Sequence, residues 1–118
     1  MTEQRFSKSC RLLNANDFKP VFDKPDARVS HPCFLILAKC SEPNARLGLV
    51  VAKKQVKLAN RRNRLKRLIR ESFRCQSFKK SVDIIVLVRH SANDMDNKQL
   101  FLILNKQWQR LDKKLNAL

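Results

Sequence analysis

The sequence predicts an α+β fold: an α/β two-layer sandwich of about four strands and three helices. Three observations predict it. Residues 57–75 and 97–115 repeat apolar side chains at helical spacing. Residues 82–88, around Ile84-Ile85-Val86-Leu87-Val88, and residues 46–52 are apolar runs of strand length without that spacing. Turn-forming residues, among them Pro25 and Pro43, punctuate the remainder. At 118 residues, 43% of them hydrophobic, the chain has the length of one domain and can bury a core without staples.

Taken in order, residues 1–13 are a basic lead-in to a single domain spanning 1–118. A short helix over 14–22 places Phe18 and Phe22 four apart on one face. Asn14 or Asn16 can cap it, and Pro20, awkward deep in a helix, argues for a start at Asn16 or Asp17. Residues 23–28 form a break. Residues 29–39 are strand-like, interrupted by Pro32, so the first part is an edge or a separate strand. After a loop at 41–45 comes the 46–52 strand with the only glycine, Gly48, a sign of close backbone approach or a bulge. The 57–75 helix carries a stripe of Leu58, Leu65, Leu68, Ile69 and Phe73. The 97–115 helix carries Leu100, Leu104, Trp108, Leu111 and Leu115, a stripe read as core. The order is α-β-β-(β)-α-β-α. If strands 46–52 and 82–88 are parallel neighbours, the general rule makes their crossover right-handed.

Charge narrows the function. Lys plus Arg number 26 against 10 Asp plus Glu, a net +16, so the partner is a polyanion, with nucleic acid ahead of an anionic membrane surface. The charge concentrates in residues 53–74: Lys53, Lys54, Lys57, Arg61, Arg62, Arg64, Lys66, Arg67, Arg70 and Arg74, with Glu71 the single acid. On a helical wheel Leu65, Leu68, Ile69 and Phe73 share one arc. Asn63, Lys66, Arg67, Arg70 and Arg74 take the opposite arc, while Arg61 and Arg62 flank the apolar edge. A solvated face normally mixes signs; an uncompensated, arginine-rich one suits phosphates, which the planar guanidinium grips bidentately. A membrane-lying helix would leave its apolar side for lipid, and this one needs that side for the core. Phe18 and Phe22 admit two readings, core packing or a stacking surface for single-stranded bases.

Other classes lack support. The N-terminal stretch has no apolar signal region and no run spans a bilayer, so a cytoplasmic location without a membrane partner is expected. Cys10, Cys33, Cys40 and Cys75 form no C-x-x-C pair, and with His31 and His90 scattered no metal cluster reads out; they are expected as reduced thiols. No catalytic triad, phosphate-cradling glycine loop or carboxylate pair is present, and Asp94 and Asp96 read as a helix-start signal.

The run Arg46-Leu47-Gly48-Leu49-Val50-Val51-Ala52-Lys53-Lys54, then Ala59 and Arg62-Asn63-Arg64-Leu65-Lys66-Arg67-Leu68-Ile69-Arg70-Glu71, closely resembles the bacterial ribonuclease P protein subunit. Arg11-Leu12, Asp17-Phe18-x-x-Val21-Phe22, Asp83-Ile84-Ile85-Val86 and the Trp108 helix support the resemblance, which covers residues 10–115. It implies an accessory protein of an RNA-based endoribonuclease that removes the 5′ leader of precursor tRNA. The catalytic centre and its Mg2+ are expected in the RNA, with no catalytic or metal residue in the chain and no obligate protein partner. The resemblance assigns Arg61, Arg62, Asn63, Arg64, Lys66, Arg67, Arg70 and Arg74 to the ribonuclease P RNA. It assigns Phe18, Phe22, Lys53 and Lys54 to a leader cleft between sheet and first helix. Phe34 or Ile36 is expected to serve on the cleft strand, where the family often has an aromatic and this chain lacks Tyr. It also implies a left-handed crossover around the arginine-rich helix, against the general rule. Asp23-Lys24-Pro25-Asp26 replaces the usual glycine-bearing turn, and Ala52 stands where serine is common. The alternative is a ribosomal-type rRNA-binding protein without catalysis.

Overall fold

The structure, a computed structural model, describes residues 15–40, 46–76, 78 and 81–118. The basic lead-in, Cys10, the 41–45 loop and the side chains of Asn14 and Asn16 lie outside that description. The chain runs α1 (Ala15–Asp23), β1 (Ala27–Ser30), β2 (Phe34–Cys40), β3 (Arg46–Val50), α2 (Ala59–Arg74), β4 (Val82–Val88), a short 3-10 helix (His90–Asp94) and α3 (Asn97–Asn116).

Pro32 divides the 29–39 segment into two strands. His31 and Phe34 exchange both main-chain hydrogen bonds, at 2.9 and 3.2 Å. The Pro32-Cys33 turn therefore closes a tight hairpin, where the missing proline N–H costs no ladder bond. The sheet order is β1-β2-β4-β3, antiparallel except for β3 against β4. Alternation along the strands sends Phe34, Ile36, Ile84 and Val86 to one face, where Leu65, Ile69, Phe73, Leu104, Trp108 and Leu111 close the main core. Leu35, Leu37, Val50, Ile85 and Leu87 face the other way, onto Phe18 and Val21 of α1. Sheet, α2 and α3 make the two expected layers, and among the described residues α1 alone lies on the opposite face.

The hand of the β3-α2-β4 connection follows from these facts. Phe34 points at α2 and α3 and spends both backbone groups on the β1 side. In an L-residue seen from its side-chain face, with the strand running up, those groups point right. So β1 lies right of β2, and β4 then β3 lie to the left, running down. Turned so that β3 and β4 run up, β4 stands left of β3 with α2 in front: a left-handed crossover, as the family resemblance implies and against the general rule. A bidentate Arg46–Asp83 pair, at 2.9 and 2.8 Å, ties the first residue of β3 to the second of β4.

The helices begin differently from one another. Asp96 and Gln99 form a capping box at α3, with bonds of 2.8 and 3.0 Å, so the helix-start signal at Asp96 holds. Leu58 occupies the N-cap of α2 with extended backbone and no side-chain cap. That corrects its place in the apolar stripe: outside the helical repeat, it is 61% exposed. Pro20 sits inside α1 rather than in its first turn. Trp108 is core, as its spacing implied. Its indole Nε1 donates to buried Ser72 at 2.7 Å, and its ring meets Phe73 and Phe78 edge-on.

Candidate nucleic-acid interface

The expected separation of α2 into two arcs is present. Leu65, Ile69, Ser72 and Phe73 are buried. Asn63, Arg67 and the acid Glu71 are exposed on the outer face; Arg61, Arg62, Arg64, Lys66, Arg70 and Arg74 are half-buried along its flanks. Arg62 and Arg74 also serve the protein. The Arg62 guanidinium donates to the carbonyls of Val56 and Lys57, at 3.0 and 2.9 Å, bracing the approach to the helix. Arg74 pairs with Glu71, one turn back. The Nε of Arg64 is shielded from solvent without a hydrogen-bond partner, a donor whose desolvation costs about 1–3 kcal/mol unless it is met.

The opposite sheet face holds the aromatic residues of α1. Val21 is fully buried against Leu37 and Ile85 and anchors the helix. Phe18, half-buried, and Phe22, 42% exposed, stack at 6.2 Å between centroids and 23° between planes. Beside them Leu35, Val50 and Leu87 remain half-buried, an apolar floor left partly open. Phe34 does not belong here. It is 0% exposed and packs in the main core on the α2 and α3 side. Hairpin register puts Leu35, not Phe34, on the α1 face, and Ile36 is buried with Phe34.

Lys53 and Lys54 are exposed on a turn directly after β3, closed by Gln55 and Val56 N–H bonds to the Ala52 carbonyl, both 3.0 Å. The 3-10 helix holds this turn from outside. The His90 N–H donates to Gln55 Oε1 at 2.9 Å, and Asn93 Nδ2 donates to the Gln55 and His90 carbonyls at 2.8 and 2.9 Å. Sequence reasoning missed Gln55, His90 and Asn93. They lie 35 to 38 positions apart across the turn, and no local pattern links them. Between the turn, the start of α2 and the 3-10 helix opens a cavity of about 450 Å³.

Two titrating groups at the β1–β2 hairpin are displaced. Burial, with help from Arg110 and Arg89, pushes the His31 imidazole below its ordinary value. Burial, and secondarily the Asp94 charge, pushes the Cys33 thiol up. Among the described residues no three His, Cys, Asp or Glu side chains come together as metal ligands, and no helix is long and apolar enough to cross a membrane.

The mixed sheet, left-handed crossover and basic α2 define a class of small cationic α+β proteins. The family model described as Ribonuclease P matches residues 6–112. The chain is 46% identical to the ribonuclease P protein component of Saccharophagus degradans, over 96% of this chain and 85% of that one. It is 42% identical to that of Pseudoalteromonas atlantica, over 97% and 96%. The solved Staphylococcus aureus RNase P protein superposes with a TM-score of 0.74 at 30% identity, covering 90% of this chain and 94% of that one. This chain belongs to the ribonuclease P protein family, whose members are components of an endoribonuclease.

Proposed function

We propose that this chain binds the ribonuclease P RNA through the outer face of α2 and the 5′ leader of precursor tRNA through the α1 face of the sheet. It thereby promotes endonucleolytic 5′ maturation of tRNA in the cytoplasm. The observation that carries this reading is the strongly cationic outer side of α2, where Glu71, already paired with Arg74, is the single acid beside seven cations, on a chain of this family. Arg61, Arg62, Asn63, Arg64, Lys66, Arg67, Arg70 and Arg74 line the RNA side. Phosphate oxygens there offset the mutual repulsion of the cations. Phe18 and Phe22 offer leader bases a stacked ring pair, and Lys53 and Lys54, exposed on the turn after β3, offer cations for the leader phosphates. The chemistry belongs to the RNA and its Mg2+. A hard divalent ion seeks oxygen ligands, which RNA phosphates supply in number. No membrane and no obligate protein partner enters the reading.

The test is reconstitution with ribonuclease P RNA and a leader-bearing precursor tRNA. The protein lowers the magnesium needed for cleavage, an effect a purely ribosomal rRNA binder lacks. Arg67→Ala weakens assembly by about 1–3 kcal/mol, the range of charge-assisted hydrogen bonds. Its folding stability stays within about 0.5 kcal/mol of the parent, as for an exposed side chain. With about five phosphate contacts, log affinity falls against log salt with a slope of roughly −4. Cleavage indifferent to the protein, or a flat salt response, overturns the reading.

A further inference from the structure

The cavity beside the Lys53-Lys54 turn has a wall composition that the phosphate-binding role of α2 leaves unexplained. Three cations, Lys54, Lys57 and Arg61, line it, as does the exposed side chain of Leu58. Gln55 and the 3-10 helix, with His90, Asn93 and Asp94, make the remaining wall. A site for phosphate alone gains nothing from a carboxylate or from an exposed leucine. A carboxylate accepts a pair of adjacent N–H donors, and an apolar side chain offers a base a dry surface. The cavity volume, about 450 Å³, lies within the range of about 300–1,000 Å³ typical of ligand pockets. The walls are also held in place: Asn93 spans the Gln55 and His90 carbonyls, and the His90 N–H is fixed on Gln55. The pocket is thus a rigid notch between two segments that the chain itself ties together.

We propose that this cavity seats one unstacked guanosine nucleotide of a bound RNA. Its base lies against Leu58 with N1–H and the N2 amino group on the Asp94 carboxylate, and its phosphates lie on Lys54, Lys57 and Arg61. Guanine is the base whose edge presents two neighbouring donors in the arrangement a carboxylate accepts. Uracil presents one donor between two acceptors, and its carbonyls would face the Asp94 charge. The cations supply affinity without sequence preference; Asp94 supplies the preference. A second cavity lined by Leu58, Asn60, Arg61 and Arg64 adjoins the first through the shared Leu58 and Arg61. The RNA strand leaving the notch therefore runs onto the cationic side of α2. This inference rests on the RNA-binding reading above and adds to it a single base-reading position.

The test titrates the full chain with guanosine 5′-monophosphate and uridine 5′-monophosphate at fixed salt, following backbone amide shifts of residues 54–58 and 90–94. Guanosine monophosphate is expected to bind there roughly tenfold more tightly than uridine monophosphate, the lower end of what a two-bond base contact discriminates. Asp94→Asn should bring the ratio near one. Removing a negative charge favours any nucleotide, so the ratio and not the affinity is the readout. Asp94 is exposed, and a thermal melt checks that the variant stays folded. Equal binding of the two nucleotides to the parent, a ratio unchanged by Asp94→Asn, or shifts confined to other residues overturns the notch. If the parent supports precursor cleavage while showing no guanosine preference, the notch alone falls. If it fails to support cleavage yet prefers guanosine through Asp94, the ribonuclease P reading falls and the base-reading site stands.

Discussion

The two faces of the sheet are finished differently. On one, helices of 16 and 20 residues lie side by side, and Phe34, Ile36, Ile84 and Val86 beneath them are fully buried. On the other, among the described residues, a single helix of nine residues covers part of the surface. Leu35, Val50 and Leu87 stay half-buried there, and Phe22 keeps 42% of its surface exposed. Strands apolar on both sides normally belong to sheets covered on both sides. Among the described residues, covering stops short on the α1 face, and the partly exposed Phe18–Phe22 pair lies beside what is left. The sealed face supplies stability; the unfinished one retains apolar surface for a ligand that brings its own flat, stackable groups.

The largest test of that contrast exchanges one phenylalanine on each face. Phe34→Ala empties a fully buried site and is expected to cost about 3–5 kcal/mol of folding stability, read as a fall in denaturant midpoint. Every RNA interaction should weaken together as the folded population shrinks. Phe22→Ala removes a ring that is largely outside the core. It should change stability by much less, while weakening binding of leader-bearing precursor tRNA by about 1–3 kcal/mol and sparing mature tRNA. If the two variants lost stability alike, the difference between the faces would be illusory.

A smaller test stays on the sealed face. Ser72 is buried beneath α3 and accepts the Trp108 indole N–H at 2.7 Å. Ser72→Ala leaves that donor without its partner, a cost of about 1–3 kcal/mol. Affinity for precursor over mature tRNA should be unchanged, because nothing on the α1 face moves. A variant that folded as stably as the parent but lost its leader preference would show that the two faces communicate through α2.

Much of the sealed face was legible in the sequence, and little of the open one. The stripes of α2 and α3 follow the helical period because each helix has one wet side, so Leu65, Ile69, Trp108 and Leu111 declare themselves. The β4 run declares itself by length and unbroken apolarity. In β2 every residue from Phe34 to Ala38 is apolar, so alternation carries no sign of which residues face α1. The parity rests on the Pro32-Cys33 turn, and Phe34 was consequently expected on the wrong side. Leu58 continued an apolar spacing numerically, but the helix begins after it. The crossover hand came from family resemblance, since local pattern favours the opposite hand. The Gln55–His90–Asn93 clamp and the Arg46–Asp83 pair join residues at least 35 positions apart, where single-sequence patterns carry no information.

The smallest expected effect concerns the hairpin that sets this parity. His31 accepts the Cys33 backbone N–H on Nδ1 at 3.0 Å, so the neutral ring carries its proton on Nε2. Burial, then Arg110 and Arg89, lower its proton affinity in the folded state, and a proton on Nδ1 would also break the bond to Cys33. Below the unfolded-state value, near pH 6.5, the unfolded chain therefore binds more protons at this position than the folded one. Stability then rises with pH, so His31 contributes a loss of stability as pH falls below about 6.5. The loss levels off once the folded-state imidazole also titrates. His31→Gln removes the titration. Its denaturant midpoint should decline less than the parent's between neutral and mildly acid pH, before carboxylates begin to protonate. His90 remains in both proteins and cancels in the comparison. Parallel declines in parent and variant would mean that His31 is protonated as easily in the hairpin as in the unfolded chain, and that the Cys33 bond does not hold the ring neutral.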